Sequence, residues 1–86
     1  TWTALFEQLK KDENNNAIAS QSDVFTYKTS DCIINTPKNK VVVVQGLKDY
    51  IISESNDILL ICNKNDEQQI RQFVTDVQIK KGDEYV

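Results

Sequence analysis

The chain of 86 residues contains no histidine, and this absence excludes several kinds of catalytic and metal site. Nucleophile pairs of the Ser–His and Cys–His type need an imidazole as the base, so neither can form within this sequence. Only two glycines and two cysteines are present. Two glycines are too few for a phosphate-cradling loop, and two cysteines alone make a poor structural zinc site. We therefore expect no catalytic, cofactor-binding or metal-binding residue in this stretch.

Charge and hydropathy limit the possible partners. Ten Lys and Arg against 13 Asp and Glu give a net charge of −3, and the lysines are scattered along the chain. Phosphate-backbone binding needs concentrated positive charge, so nucleic acid is not an expected partner. No leader pattern and no apolar run of about 18 residues occur, so we expect no signal peptide and no membrane partner. Methionine is absent, and we interpret the sequence as a piece of a longer polypeptide.

The two cysteines, Cys32 and Cys62, each lie in or beside an apolar run. A free cysteine behaves as a small buried hydrophobic residue, which is the interpretation that we prefer. A disulfide is the alternative, and it would require an oxidising compartment for which the sequence gives no signal. The cysteine usage therefore favours a cytoplasmic location.

Short apolar runs dominate the middle of the chain and predict strands. The five runs are Val24–Tyr27, Cys32–Ile34, Val41–Val44, Tyr50–Ser53 and Ile58–Cys62. Their starts are eight or nine residues apart, which is typical of a sandwich, a roll or a solenoid. We expect Thr26 to face solvent and Gly46 to adopt a positive φ in a turn. The third and fifth runs do not alternate with polar residues, so both faces of those strands need cover.

An amphipathic pattern predicts a helix at each end of the chain. The first helix covers residues 1–11, and its apolar face consists of Trp2, Leu5, Phe6 and Leu9. Residues 12–23 are polar and predict a loop. The second helix covers about 66–81, with Asn65 or Asp66 as its cap in a capping box and Gly82 as its end. Its apolar stripe, expected to cover one sheet face, consists of Ile70, Phe73, Val74 and Val77.

Four acidic residues could be imagined as a metal cluster: Asp49, Glu54, Asp57 and Asp66. They lack the spacing of a calcium loop, and turn or cap positions explain them better. Trp2 could stack on a ligand, but a tryptophan in an apolar helix stripe more often packs in a core. We expect Trp2 to pack between domains.

The block from Lys40 to Cys62 shows an order of elements that resembles a known family. A strand leads into Gly-Leu-x-Asp, a second strand follows, and a polar turn ending in Asp precedes an apolar strand. The matching positions are Gly46, Leu47, Asp49, Tyr50–Ile52, Asp57 and Ile58–Ile61. This order resembles the C-terminal segment of bacterial mannose-1-phosphate guanylyltransferases. Thr1-Trp2 is similar to the end of that family's catalytic domain, and Ile70–Val77 is similar to its terminal helix.

The resemblance implies an α+β fold that is mostly β. Its short strands would stack as an irregular left-handed β-helix or β-roll, with an N-terminal helix and a C-terminal amphipathic helix. Residues 1–11 would continue from the catalytic domain, 12–23 would form the polar loop, and 24–86 would form the β-rich C-terminal domain.

The resemblance also implies a function for the longer protein. That enzyme would make GDP-mannose from GTP and mannose 1-phosphate with the help of Mg²⁺, whereas this piece would lack catalytic residues. Its expected partners are its own catalytic domain and a second copy in a homo-oligomer. Two alternatives stay open, namely the tail of another sugar-1-phosphate nucleotidyltransferase and a stand-alone protein-interaction module.

Overall fold

A computed structural model describes residues 1–19 and 22–82 and contains a stack of short strands with a helix near each end. The helices are α1 (Trp2–Gln8) and α2 (Ile70–Lys81). The strands are β1 (Ala17–Ile18), β2 (Asp23–Tyr27), β3 (Ile33–Asn35), β4 (Val41–Gln45), β5 (Tyr50–Ser55) and β6 (Ile58–Asn63). A 3₁₀ segment, Lys64–Gln69, connects β6 to α2. All five predicted strands are present within two residues of their expected bounds.

The strands stack in parallel as the coils of a β-helix. In the larger sheet Ala17 pairs with Ile33 and Ile33 pairs with Ile51, so successive partners are 16 and 18 residues apart. In the smaller sheet β2 lies parallel to β4, and Asp23 pairs with Val41, again 18 residues further on. Strand β6 runs antiparallel to β5 and ends the larger sheet, whose order is β1-β3-β5-β6. The expected β-helix-like fold with two helices is therefore confirmed.

The coils turn at residues that adopt a positive φ. Asn15, Asp31 and Asp49 hold equivalent places before β1, β3 and β5, with φ of 64°, 58° and 62°. Asn and Asp tolerate this region better than most residues because their short polar side chains can bond locally. Asn15 Nδ2 donates to Asp31 Oδ1 at 2.7 Å, which ties two successive corners together. Lys28 and Gly46 occupy the corners after β2 and β4, and the expected positive φ of Gly46 is confirmed at 81°.

An apolar core fills the space between the two sheets. Its buried members are Cys32, Ile34, Val44 and Ile52. Because side chains alternate along a strand, Ile33 and Ile51 point to the opposite face of the larger sheet, where both are fully buried. Ser53 shares that face with Ile51, and it lines a groove between the larger sheet and the two helices together with residues of α1 and α2. The helices therefore form a second layer over this face of the larger sheet.

A fully buried asparagine fills the start of the first coil. Asn16 Oδ1 accepts from the Cys32 backbone N–H at 3.0 Å, and Asn16 Nδ2 donates to the Thr29 carbonyl oxygen at 2.9 Å. The Asn16 backbone N–H itself donates to Asp12 Oδ1 at 2.9 Å. One coil later Cys32 holds the equivalent place, and its thiol donates to the Ser30 carbonyl oxygen at 3.3 Å. Asn16 thus satisfies a backbone donor of the next coil, as buried amides require.

The N-terminal predictions need two corrections. The helix predicted over 1–11 ends at Gln8, because Leu9 is extended (φ −81°, ψ 149°) and Lys11 forms a bridge with Ala17. The loop predicted over 12–23 contains β1 and the first residue of β2. Residues 20 and 21 of that predicted loop lie outside the described residues.

The C-terminal helix also differs from its predicted form. α2 begins at Ile70, because Asp66 adopts non-helical angles (φ −108°, ψ 22°) within the preceding 3₁₀ segment. Asn63 caps the 3₁₀ segment, where its Oδ1 accepts from the Asn65 backbone N–H at 2.9 Å. The residue before α2 is Gln69, which makes no side-chain cap bond, so neither Asn65 nor Asp66 acts as the predicted cap. Gly82 (φ 86°) ends α2 as expected. The predicted domain 24–86 extends over residues 83–86, which lie outside the described residues.

Candidate interaction surfaces

The outer face of the smaller sheet is apolar and open. Four side chains define this β2–β4 outer surface, and their exposed fractions are Phe25 49%, Tyr27 54%, Val41 72% and Val43 65%. The prediction that Thr26 faces solvent was wrong, because Thr26 is half-buried and its aromatic neighbours point outward. Clustered exposed apolar side chains are typical of interaction sites, whereas single ones are common on any protein surface.

Strand β4 is also a free edge. Within residues 1–19 and 22–82, β2 is its only strand neighbour. The Asp23 N–H donates to the Lys40 carbonyl, and the Gly46 N–H donates to the Tyr27 carbonyl. The backbone groups of the even-numbered residues 40 to 46 therefore bond to β2. In a parallel ladder the odd-numbered residues of β4 direct their backbone N–H and C=O groups away from β2. Val43 thus presents both its side chain and its backbone groups at the edge of the molecule.

An apolar groove separates α2 from the larger sheet. We call it the Trp2 groove, and its volume is about 540 Å³. Its main lining residues are Trp2, Ile58, Leu60, Phe73, Val74 and Val77. The predicted stripe of α2 does face the sheet, but Phe73 and Val74 remain 37% and 41% exposed. The helix therefore covers this sheet face only in part, because no residue of α2 is buried.

The end of the β-helix beside β6 carries an ion pair. Lys40 Nζ lies 2.7 Å from Glu54 Oε2, and it joins the start of β4 to β5. Leu59 pairs with Glu54 in the sheet, and Leu59 and Ile61 are 58% and 57% exposed. Both of these apolar residues share the face of the buried Ile52, but within the described ranges the smaller sheet has no third strand opposite them. The apolar core therefore ends at Leu59 and Ile61, which are exposed to solvent, and the Lys40–Glu54 ion pair lies beside them.

The four acidic residues singled out in the sequence lie at four different places. Asp49 is at a coil corner, Glu54 is in β5, Asp57 is in the β5–β6 turn, and Asp66 is in the 3₁₀ segment. Within the described part of the chain, no group of three or more His, Cys, Asp or Glu side chains could hold a metal ion. The fold therefore does not bring these four carboxylates together.

The two cysteines are free and buried, as predicted. Cys32 points into the core beside Ile34 and Ile52. Cys62 pairs with Ile51 and so lies on the opposite face of the sheet. Burial raises the pKa of both thiols above the ordinary value of 9.0. Raised values keep the sulfurs protonated and unreactive at neutral pH.

Sequence reasoning missed Glu67, which connects the two helical regions. Its Oε2 accepts from the Trp2 backbone N–H at 2.8 Å, and its Oε1 accepts from Thr3 Oγ1 at 2.6 Å. The hydrogen bond from the Thr3 hydroxyl, together with those from the backbone N–H groups of Thr3 and Trp2, lowers the pKa of the Glu67 carboxyl. No local pattern could have revealed the contact, because its partners are more than 60 residues away in the chain.

Comparison with known proteins places this arrangement in a family. Residues 22–77 match the family described as "MannoseP isomerase/GMP-like beta-helix domain". The chain belongs to this β-helix domain family. The matched range runs from the start of β2 to the third turn of α2, so it includes the β2–β4 outer surface and most of the Trp2 groove.

Two relatives and one solved structure agree with this assignment. A putative mannose-1-phosphate guanylyltransferase of Vibrio cholerae is 35% identical over 85 residues, which are 99% of this chain and 18% of the relative. A mannose-1-phosphate guanylyltransferase of Salmonella montevideo is 27% identical over 86 residues, again 18% of its length. The crystal structure of a Thermus thermophilus protein named mannose-1-phosphate geranyltransferase aligns with a TM-score of 0.77 and 19% identity. That alignment covers 90% of this chain and 23% of the Thermus protein, and it shows the fold.

The family resemblance noted from the sequence is therefore confirmed. The chain spans about a fifth of the length of the curated relatives that it matches. Residues 1–19 and 22–82 include no helix that is both long and apolar enough to cross a bilayer.

Proposed function

We propose that this chain is the β-helix domain of an enzyme that makes GDP-mannose from GTP and mannose 1-phosphate. Within that enzyme it serves for docking and self-association, and it performs no chemistry alone. The guanylyltransferase relatives support the enzyme class. The observation that carries the docking role is the β2–β4 outer surface, where four large apolar side chains are about half or more exposed. GTP and Mg²⁺ belong, in this proposal, to the part of the enzyme outside this chain.

The proposed partner at the β4 edge is a second copy of the same domain. Strand β4 reads Val-Val-Val-Val-Gln and carries no charge, although isolated edges are usually protected by a charged residue or proline. Antiparallel pairing about a twofold axis at Val43 would place valine against valine and Val41 against Gln45. No like charges would meet, and the two-stranded sheet would become four-stranded. Cross-strand valine contacts would then cover part of the outer surface.

The proposed occupant of the Trp2 groove is the remainder of the longer enzyme. The relatives are more than five times the length of the matched segment, so most of such a polypeptide lies outside this domain. A groove of about 540 Å³ with Leu60 on the sheet side and Phe73 on the helix side suits an apolar side-chain cluster. Trp2 lines this groove, and in this proposal it packs between the two domains. We also propose a cytoplasmic location for the enzyme, and the two free cysteines support it.

Sedimentation of the 86-residue chain tests the self-association. We expect the wild-type protein to dimerise as its concentration rises and the Val43→Lys variant to stay monomeric. Ile79→Lys is the matched control, because Ile79 is an equally apolar and 80% exposed residue on α2, away from β4. A wild-type monomer at every soluble concentration, or loss of the dimer in both variants, would refute the β4 interface.

A product assay tests the absence of chemistry. The isolated chain is mixed with GTP, mannose 1-phosphate and Mg²⁺, and GDP-mannose is measured by chromatography. We expect no product above a sample without protein. Turnover by the purified chain would show that the catalytic groups lie within these residues and would refute the docking-only role.

A further inference from the structure

A distant carboxylate, that of Glu67, holds the start of helix α1. Glu67 Oε2 accepts from the backbone N–H groups of Trp2 (2.8 Å) and Thr3 (3.3 Å), while its Oε1 accepts from Thr3 Oγ1 (2.6 Å). The first N–H groups of a helix lack acceptors within the helix, and a negative charge there is favoured by the helix dipole. Thr1 Oγ1 accepts from the Ala4 N–H at 3.1 Å. Glu67 therefore completes the cap of α1 from the other end of the chain.

A second contact holds the same helix from the same segment. Lys64 Nζ lies 3.6 Å from the centroid of the Phe6 ring, and Lys11 Nζ lies 4.7 Å from it. A cation over an aromatic face within about 6 Å is attracted by the ring. The Lys64 backbone N–H donates to the Asp49 carbonyl at 2.7 Å. This bond attaches the 3₁₀ segment to the coil corner at Asp49. The segment that carries both Lys64 and Glu67 is therefore anchored to the β-helix.

Trp2 connects these contacts to the groove. The Trp2 backbone N–H donates to Glu67, and the Trp2 side chain lines the Trp2 groove together with Phe73. No residue of α1 is buried, so packing alone provides few constraints on where this helix lies. We therefore expect the position of the Trp2 side chain in the groove to depend on the hydrogen bond from its backbone N–H to Glu67.

We propose that Glu67 and Lys64 form a two-point latch that holds α1 against the β-helix and thereby keeps Trp2 in place as a wall of the groove. Glu67 acts at the start of the helix and Lys64 acts one turn later, at Phe6. The latch fixes both the position and the direction of α1. The latch lies within a single chain and does not depend on dimerisation through β4.

The test uses Trp2 as a reporter, because it is the only tryptophan of the chain. Acrylamide quenching of its fluorescence and hydrogen exchange of the α1 amides are measured in the wild-type chain and in Glu67→Ala. Exposed charge contacts have modest energies, so we expect quenching and α1 exchange to rise about two- to fivefold. Amides of β3 and β5 should keep their wild-type rates. Lys64→Ala should change the same signals in the same direction.

The matched control is Glu7→Ala, which removes an exposed carboxylate from α1 itself without touching the latch. It should leave the quenching of Trp2 unchanged. The proposal is overturned if Glu67→Ala leaves Trp2 and the α1 amides as in the wild type. It is equally overturned if Glu7→Ala reproduces the effect, or if the β3 and β5 amides accelerate as much as those of α1, since global loosening would then explain the result.

Discussion

Single polar side chains decide how the coils of this domain are joined. Asn16 is fully buried yet satisfied, because its amide bonds to the Cys32 N–H of the following coil and to the Thr29 carbonyl just before that coil begins. A buried polar group with partners costs little, whereas the same partners without it would be left unsatisfied. The sequence Asn14-Asn15-Asn16 looks like a loop by composition. The importance of its third member is visible only once the next coil is stacked against it.

We expect Asn16→Ala to lower the free energy of unfolding by about 1–3 kcal/mol, because two buried backbone groups lose their partner. Urea denaturation measures the change. Asn14→Ala is the control, since Asn14 is exposed and contributes its backbone groups to the hydrogen bonds of this turn. Equal stability of the two variants would contradict the role assigned to Asn16.

The buried thiol of Cys32 makes the stability of the domain depend on pH in the alkaline range. Burial raises its pKa in the folded protein above 9.0, so the unfolded chain loses this proton at a lower pH than the folded one. The resulting stabilisation is complete below pH 9.0 and is lost as the pH rises through the folded value. We expect stability to fall by up to about 1.4 kcal/mol per pH unit in that window from this group. Cys32→Ala should decline less steeply, and identical slopes would count against the mechanism.

Among the elements, the β5–β6 hairpin shows how a local sequence sets the end of the β-helix. Its two turn residues, Asn56 and Asp57, have φ of 52° and 62°, and Ser55 pairs with Ile58. Two central residues with positive φ form a type I′ turn, which matches the twist of the strands it joins. The hairpin sends the chain back along β5 as β6, so this segment adds its strand to the larger sheet and not to the smaller one.

We expect Asp57→Gly to stabilise the domain by roughly 0.5–1 kcal/mol, because glycine adopts a positive φ without strain and Asn-Gly favours this turn. Asp57→Ala is the comparison, and it should destabilise the domain. Thermal unfolding of both variants measures the difference. A glycine variant no more stable than the alanine variant would contradict the role assigned to the positive φ at this position.

The elements differ in how well the sequence predicted them. The five apolar runs marked their strands because continuous valine and isoleucine segments suit buried strands. Strand β1 escaped notice because Ala17-Ile18 is too short to form a pattern and is ordered by pairing with β3. Helix α1 is shorter than its apolar pattern suggested, because the chain must reach the bridge between Lys11 and Ala17. Tertiary pairing decided both cases.

At the scale of the whole molecule, the sequence predicted that some strand faces need cover but not which ones. Val41–Val44 is uniformly apolar, and only the coil geometry shows that Val42 and Val44 point inward while Val41 and Val43 stay exposed. The groove beside Trp2 was equally hidden, because its walls come from both ends of the chain. The match over residues 22–77 identified the domain family. The exposed apolar side chains of β2 and β4 support the proposal of a docking surface.

The proposed dimer pairs the β4 edge with the same edge of a second copy of the domain. The most direct measurement is amide hydrogen exchange of Val41, Val43 and Gln45 in the wild-type chain over a range of protein concentrations. We expect the protection of these three amides to rise with concentration, while the already paired amides of Val42 and Val44 change little. Rapid, concentration-independent exchange at Val43 in a sample that is otherwise folded would contradict the claim.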